Sequence, residues 1–209
     1  MDAMAFEDKE KLFKNEKAVQ IRLEKIREPH IRPLTEYVEE LRLDCSSRRI
    51  PYFDPWDGGI NATCLFLLEA PGGKAVEFIS RNNNDETAKN FFLLSNEAGL
   101  PRIMTISWNI VPWYIGDEAE RKIRAATVKD ISEGTPHLLR LLKILPKLRA
   151  VVFLGKKAQR AEEDIRRFRQ DLRFFYSPHP SPLVVNRRPE NRNEILKVMK
   201  EVSQFILTH

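Results

Sequence analysis

The chain has 209 residues, 42% of them hydrophobic and 31% charged, which fits one globular domain with an ordinary core and leaves no apolar run long enough to span a bilayer. Its net charge of +5 suits a polyanionic partner without demanding one. Two cysteines, Cys45 and Cys64, cannot supply the four ligands of a cysteine-only iron–sulfur or zinc site, and reduced thiols are the default reading. No metal or cofactor is expected. The charged N-terminus lacks the apolar core of a signal peptide, so the cytoplasm is the expected location. A monomer without a membrane partner is expected.

In chain order, residues 6–28 mix Lys, Glu and Arg with Phe13, Val19, Ile21, Leu23 and Ile26, a pattern that predicts an amphipathic helix. Pro29 and Pro33 bracket a break, and a second helix is predicted from Pro33 to Leu43 with Leu34, Tyr37, Val38 and Leu41 on one face. Residues 1–45 thus read as a helical segment leading into a single domain that takes in the whole chain. Ile50 to Gly59 reads as a loop. Cys64 to Leu68 is a short apolar run closed by the turn Glu69-Ala70-Pro71-Gly72-Gly73, as buried parallel strands are. Asn84 or Asp85 can cap a helix over Glu86 to Ala98, which Gly99 can end. A strand follows at Ile103 to Ser107, running into Trp108 and Asn109.

Residues 117–145 read as mostly helical with an interruption near Gly134 to Pro136. Ala150 to Leu154 is a third strand, followed by Gly155 and a short helix through Ala161. Leu172 to Tyr176 is a fourth strand, followed by a turn from Ser177 to Pro182. Glu190 to Leu207 closes the chain as a helix with Ile195, Val198, Met199, Val202 and Ile206 inward. Strands alternating with helices predict an α/β fold: a three-layer α/β/α sandwich around a short, mainly parallel four-stranded sheet. Ligands of such sheets bind at the carboxyl ends of the strands, and three of these strands run straight into polar or turn motifs.

Those motifs are LLEAPG at 67–72, WNIVPW at 108–113, VFLG at 152–155 and HPSPL at 179–183. Their order and spacing resemble the uracil-DNA glycosylase superfamily over roughly residues 50–207, in a divergent, bacterial-type branch without an iron–sulfur cluster. The resemblance implies an enzyme that flips uracil out of single- or double-stranded DNA and hydrolyses its N-glycosidic bond, leaving an abasic site. It also implies roles. His179 would donate a hydrogen bond to the pyrimidine O2 as negative charge develops, although a histidine can also merely brace a Pro-rich turn. Asn109 would read O4 and N3–H of uracil and reject cytosine, which presents the reverse pattern. In the best-known branch an aspartate that activates water stands at Ala70, and a tyrosine that excludes the thymine methyl stands at Gly72. The glutamate at position 69 is nearer to the iron–sulfur branch, whose cysteines this chain lacks.

Glu69 either polarises water and the sugar cation or accepts backbone N–H bonds in its turn. Asn82, within the polar run Asn82-Asn83-Asn84-Asp85, is the other candidate for holding water. Ala70, Pro71 and Gly72 would wall the base pocket, with Phe78 stacking on the base and Phe91 or Phe92 as alternatives. Trp113 and Tyr114 would replace the methyl filter. Leu183 would fill the gap left by the flipped base. Ser181, Pro182, Arg187, Arg188, Gly155 and Lys156 would meet the DNA backbone. Asp54, Pro55 and Trp56 read as a packed lid, with a lip contacting DNA as the alternative. Three rivals stay open: a DNA-binding module of this fold with weak catalysis, a glycosylase for another deaminated or 5-substituted base, and a nucleotide-handling enzyme, for which Gly72-Gly73-Lys74 is only a fragment of a phosphate loop.

Overall fold

The unbroken apolar runs of the sequence lie side by side at the centre of the molecule, because only a strand covered on both faces needs apolar residues at every position. The computed structural model describes residues 7–117 and 122–208. Helices α1 (Glu16–Leu23) and α2 (Arg32–Asp44) precede strand β1 (Tyr52–Phe53). Then come β2 (Cys64–Leu68), β3 (Phe78–Ile79), α3 (Glu86–Glu97), β4 (Thr105–Asn109) and the short strands β5 (Gly116–Asp117) and β6 (Lys122–Ile123). The chain continues through α4 (Val128–Ile144), β7 (Ala150–Leu154), α5 (Glu162–Phe168), β8 (Arg173–Ser177), α6 (Pro182–Val185) and α7 (Pro189–Thr208).

The main sheet has the order β4-β2-β7-β8, and every neighbouring pair is parallel. Alternation along each strand divides the core in two. Leu65, Leu67, Ile106, Trp108, Val151 and Phe153 face α2, α4 and α5. Cys64, Phe66, Ala150, Val152 and Leu154 face Phe91 and Leu94 of α3 and Ile195, Met199, Val202 and Ile206 of α7. This is the three-layer α/β/α arrangement with a parallel four-stranded sheet. Among the described residues no helix is long and apolar enough to cross a membrane.

Several elements depart from the sequence reading, each for a physical reason. The N-terminal stretch is not one helix: a 3-10 turn at Leu12–Lys14 is followed by α1, and turns fill the run to α2 (Phe6 lies outside the described residues). Asn15 starts α1 by accepting from the Lys17 N–H. The buried face of α1 is Ala18 and Arg22, not Val19, Ile21 and Leu23, because Arg22 is drawn into a buried ion pair with Asp54. Strand β4 starts two residues later than its apolar residues suggest. Its register is set by β2, with Cys64 opposite Thr105 and Leu68 opposite Asn109, so Ile103 is left in a 3-10 turn, 73% exposed.

The helical reading of 117–145 is corrected to a strand pair, β5 and β6, followed by α4, with 118–121 outside the described residues. A capping box of Thr127 and Asp130 starts α4. The helix runs unbroken through Gly134 and Pro136. Gly134 lets it lie against the backbone after β4, where an added Cβ would stand 2.3 Å from the Ile110 carbonyl oxygen. Pro136, which cannot donate to the turn before it, lies on the exposed side. The 50–59 loop carries β1, which pairs in parallel with the unexpected β3.

Candidate active site

The strand register brings the motif ends together. Leu68 lies opposite Asn109, and the ladder continues past the sheet through Ile110 N–H to the Leu68 carbonyl at 2.9 Å and Val111 N–H to the Glu69 carbonyl at 3.0 Å. On the other side Leu154 lies opposite Ser177, and the Gly155 N–H donates to the Ser177 carbonyl at 2.8 Å. The carboxyl ends of β2, β4 and β8 therefore share one rim, where a cavity of about 380 Å³ opens. That volume suits a small-molecule or single-base ligand. Glu69, Ala70, Pro71 and Gly72 form one wall, and Asn109 and His179 both line it.

His179 is half-buried. Its Nδ1 accepts from the Ser181 N–H at 3.2 Å, so the neutral ring carries its proton on Nε2. Burial holds its pKa below the ordinary 6.5, and the carboxylates of Glu69 and Asp85 offset this only in part. Gly155 positions this ring. Its φ of +90° is a conformation that side chains disfavour, and an added Cβ would sit 3.2 Å from His179 Cβ.

Asn109 is 2% exposed, and its Nδ2 is enclosed without a partner among the described residues. Ser107 Oγ, two residues earlier on the same face of β4, is enclosed and unpartnered in the same way and also lines the cavity. Buried polar groups are nearly always paired, so such orphans mark a place prepared for a ligand. Glu69 serves partly as a brace: its Oε1 accepts the Ala126 N–H, and Lys157 Nζ holds the Ala126 carbonyl at 2.9 Å.

The sequence matches the family model of the Uracil DNA glycosylase superfamily over residues 55–203. This chain belongs to the uracil-DNA glycosylase superfamily. No curated protein matches it. Among solved structures it is similar to a candidate uracil DNA glycosylase from Methanosarcina acetivorans, a solution NMR structure, at 16% identity and a TM-score of 0.44, covering 68% of this chain and 91% of that one. It is also similar to the crystal structure of mimivirus uracil-DNA glycosylase at 14% identity and a TM-score of 0.43, covering 88% of this chain and 80% of that one.

Within this superfamily member, several residues singled out from the sequence stand elsewhere. Asn82 is fully buried away from the cavity. Its amide donates to Asp8 Oδ1 at 2.8 Å and to the Lys9 carbonyl at 2.7 Å, and its Oδ1 accepts from Arg102 at 2.8 Å, so it fastens the N-terminal segment. Asn83 and Asp85 of the same run do line the cavity. Phe78 packs on Phe13 with ring centroids 5.5 Å apart and is not among the lining residues, whereas Phe91 of α3 is. Trp113 packs against His137 and Arg48, and Tyr114 donates to the Asp117 carbonyl; neither walls the cavity.

Asp54 lies in a buried ion cluster and not in a lid. Gly155, expected to meet the DNA backbone, packs close to His179, while Lys156 beside it is exposed. At the rim, Ser181 and Pro182 lead into α6, with Leu183 85% exposed and Arg187 and Arg188 exposed beyond it. The opposite lip is formed by Ile123, Arg124 and Ala125. Sequence reasoning missed Ser107 and Arg81. The first was within reach, since a residue two before Asn109 on a strand shares its face; the second carried no signal.

Proposed function

We propose that this protein removes uracil from DNA by monofunctional hydrolysis of the N-glycosidic bond. The observation that carries this reading is the pairing, on one cavity, of an Nε2–H imidazole at 179 with the unpartnered carboxamide of Asn109. In the reaction the C1′–N1 bond breaks with its electron pair leaving on the pyrimidine. A water oxygen bonds C1′, and the proton it sheds balances the one finally taken up by the base. His179 donates to O2 as charge gathers there, and Asn109 reads O4 and N3–H. Glu69, braced through Oε1, stabilises the sugar cation and polarises the water that Ala70 cannot activate. Ala70, Pro71 and Gly72 bound the base, and Phe91 takes the stacking role first given to Phe78.

Leu183 fills the gap in the duplex, and Ser181, Pro182, Lys156, Arg187 and Arg188 meet the backbone. The protein acts as a monomer on cytoplasmic DNA. The test is single-turnover release of uracil from single- and double-stranded oligonucleotides. Asn109→Asp is expected to slow uracil release about 100-fold and to admit cytosine, because a carboxylate repels O4 but accepts from the cytosine amine. An unchanged rate with unchanged selectivity would remove Asn109 from the site. Gly155→Ala is expected to slow release by about 10- to 100-fold by pushing His179 out of line. Rates equal to wild type would show that the ring tolerates the shift.

One observation favours a second reading. A Cβ built at Gly72 meets nothing within 4 Å, so the wall is open where a bulky filter would stand. A base with a 5-substituent fits that opening, and release of 5-substituted uracils faster than uracil would make them the preferred substrates.

A further inference from the structure

Arg81 lines the same cavity as His179 and Asn109 and is 2% exposed. One end is anchored: Nη2 donates to Thr105 Oγ1 at 2.7 Å, and that hydroxyl donates to the Arg102 carbonyl at 2.9 Å. The guanidinium lies over the ring of Phe91, 5.2 Å from its centroid. Its Nε is enclosed and finds no partner among the described residues. Asp57, Asp8 and Asp54 balance its charge from a distance, but their direct ion pairs go to Arg102 and Arg22. Burial lowers the Arg81 pKa to about 10, which still leaves the group charged at neutral pH.

A buried guanidinium that makes no direct ion pair and keeps an unpaired N–H is free to direct its charge at an anionic ligand in the cavity it lines. The chemistry at this cavity supplies one. When the C1′–N1 bond breaks, the electron pair stays on the pyrimidine and spreads over N1, O2 and O4, while a water oxygen captures the sugar cation and releases a proton. Neutral His179 offers a hydrogen bond but no net charge. Glu69 and Asp85, which also line the cavity, favour the sugar cation and oppose the base anion. Arg124 lines the lip but is neutralised by Asp130 at 2.6 Å.

We propose that Arg81 is a further catalytic residue, the fixed cation that stabilises the departing pyrimidine anion. The inference rests on the proposed function. It is tested by single-turnover release of uracil and of 5-fluorouracil, whose ring fluorine makes it the better leaving group. Arg81→Met should slow uracil release about 100-fold and 5-fluorouracil release about 10-fold. Arg81→Lys, which keeps the charge, should hold the ratio of the two rates near the wild-type value. That ratio, taken within one preparation, does not depend on the fraction of protein folded. Equal slowing of both bases by Arg81→Met overturns the inference.

A second measurement separates its failure from that of the proposed function. Free 5-nitrouracil is an anion at neutral pH, and wild type should bind it more tightly than free uracil, with Arg81→Met abolishing the preference. Wild type that releases neither base from DNA overturns the proposed function, and the free-base binding then decides on Arg81 by itself: a preference retained in Arg81→Met overturns the inference.

Discussion

Replacing His179 with alanine is expected to slow uracil excision about 100- to 1,000-fold, the usual consequence of removing one donor aimed at developing charge. The fold should survive. The ring is half-buried and accepts from the Ser181 N–H, so the loss of that bond costs about 1 kcal/mol and a few degrees in Tm. Single-turnover kinetics beside a melting curve check both parts, and a rate within a few-fold of wild type would make His179 a mere brace of its turn.

The same geometry sets the pH dependence. Burial depresses the pKa of His179, so the ring is neutral through the physiological range. Protonation in acid would place a proton on Nδ1, facing the Ser181 N–H, and turn an acceptor into a clashing donor. The excision rate should therefore be flat above pH 6.5 and fall below the depressed pKa. Stability follows the same direction. The unfolded chain takes up its proton near the ordinary 6.5 and the native state only at lower pH, so this contribution is complete above 6.5 and shrinks as pH falls between the two values.

Asp54→Ala is expected to cost about 3–5 kcal/mol of stability, the typical effect of removing one partner from a buried ion cluster. Asp54 is fully buried, pairs with Arg22 and with Arg102 at 2.6 Å, and accepts from the Ser80 hydroxyl and the Trp56 N–H. Burial alone would raise its pKa, but Arg102 and Arg22, with those two hydrogen bonds, outweigh it and hold the carboxyl below its ordinary 3.8. With the carboxylate gone, the buried Arg22 loses its direct ion pair, while Arg102 keeps those to Asp8 and Asp57. Because the shift is downward, the contribution is present above pH 3.8 and lost as pH falls through the lower native value. Urea denaturation at neutral pH measures the difference. A midpoint equal to wild type would mean that water reaches Arg22 and that the cluster is not sealed.

The central strands β2 and β7 were legible because a strand buried on both faces is apolar throughout and stops where polarity begins, and the edge strands β4 and β8 from shorter apolar stretches that run into polar motifs. Helix α2 was legible from Leu34, Tyr37, Val38 and Leu41, all buried on one face. Helix α1 was misread for the converse reason. Its inward residue Arg22 is charged, and its counter-ion Asp54 lies 32 positions away, where no local pattern connects them. Asn82 and Asn83 look alike in sequence and part company in space. The turn after Ser80, whose hydroxyl accepts the Asn82 N–H at 2.9 Å, sends one amide to the N-terminal segment and leaves the other at the cavity. Phe78 and Phe91 divide in the same way, since packing rather than residue type decides which ring reaches the pocket.

Local chemistry in the chain thus determined which segments become strands or helices and which polar motifs close them, since burial and capping act over a few residues. The assignment of Asn83, Phe91, Ser107 and Arg81 to the cavity, and of Asn82 and Phe78 away from it, was decided only in the tertiary structure. Strand register, turn geometry and charge pairing between distant residues set those directions, and each depends on a partner that the neighbouring sequence does not contain.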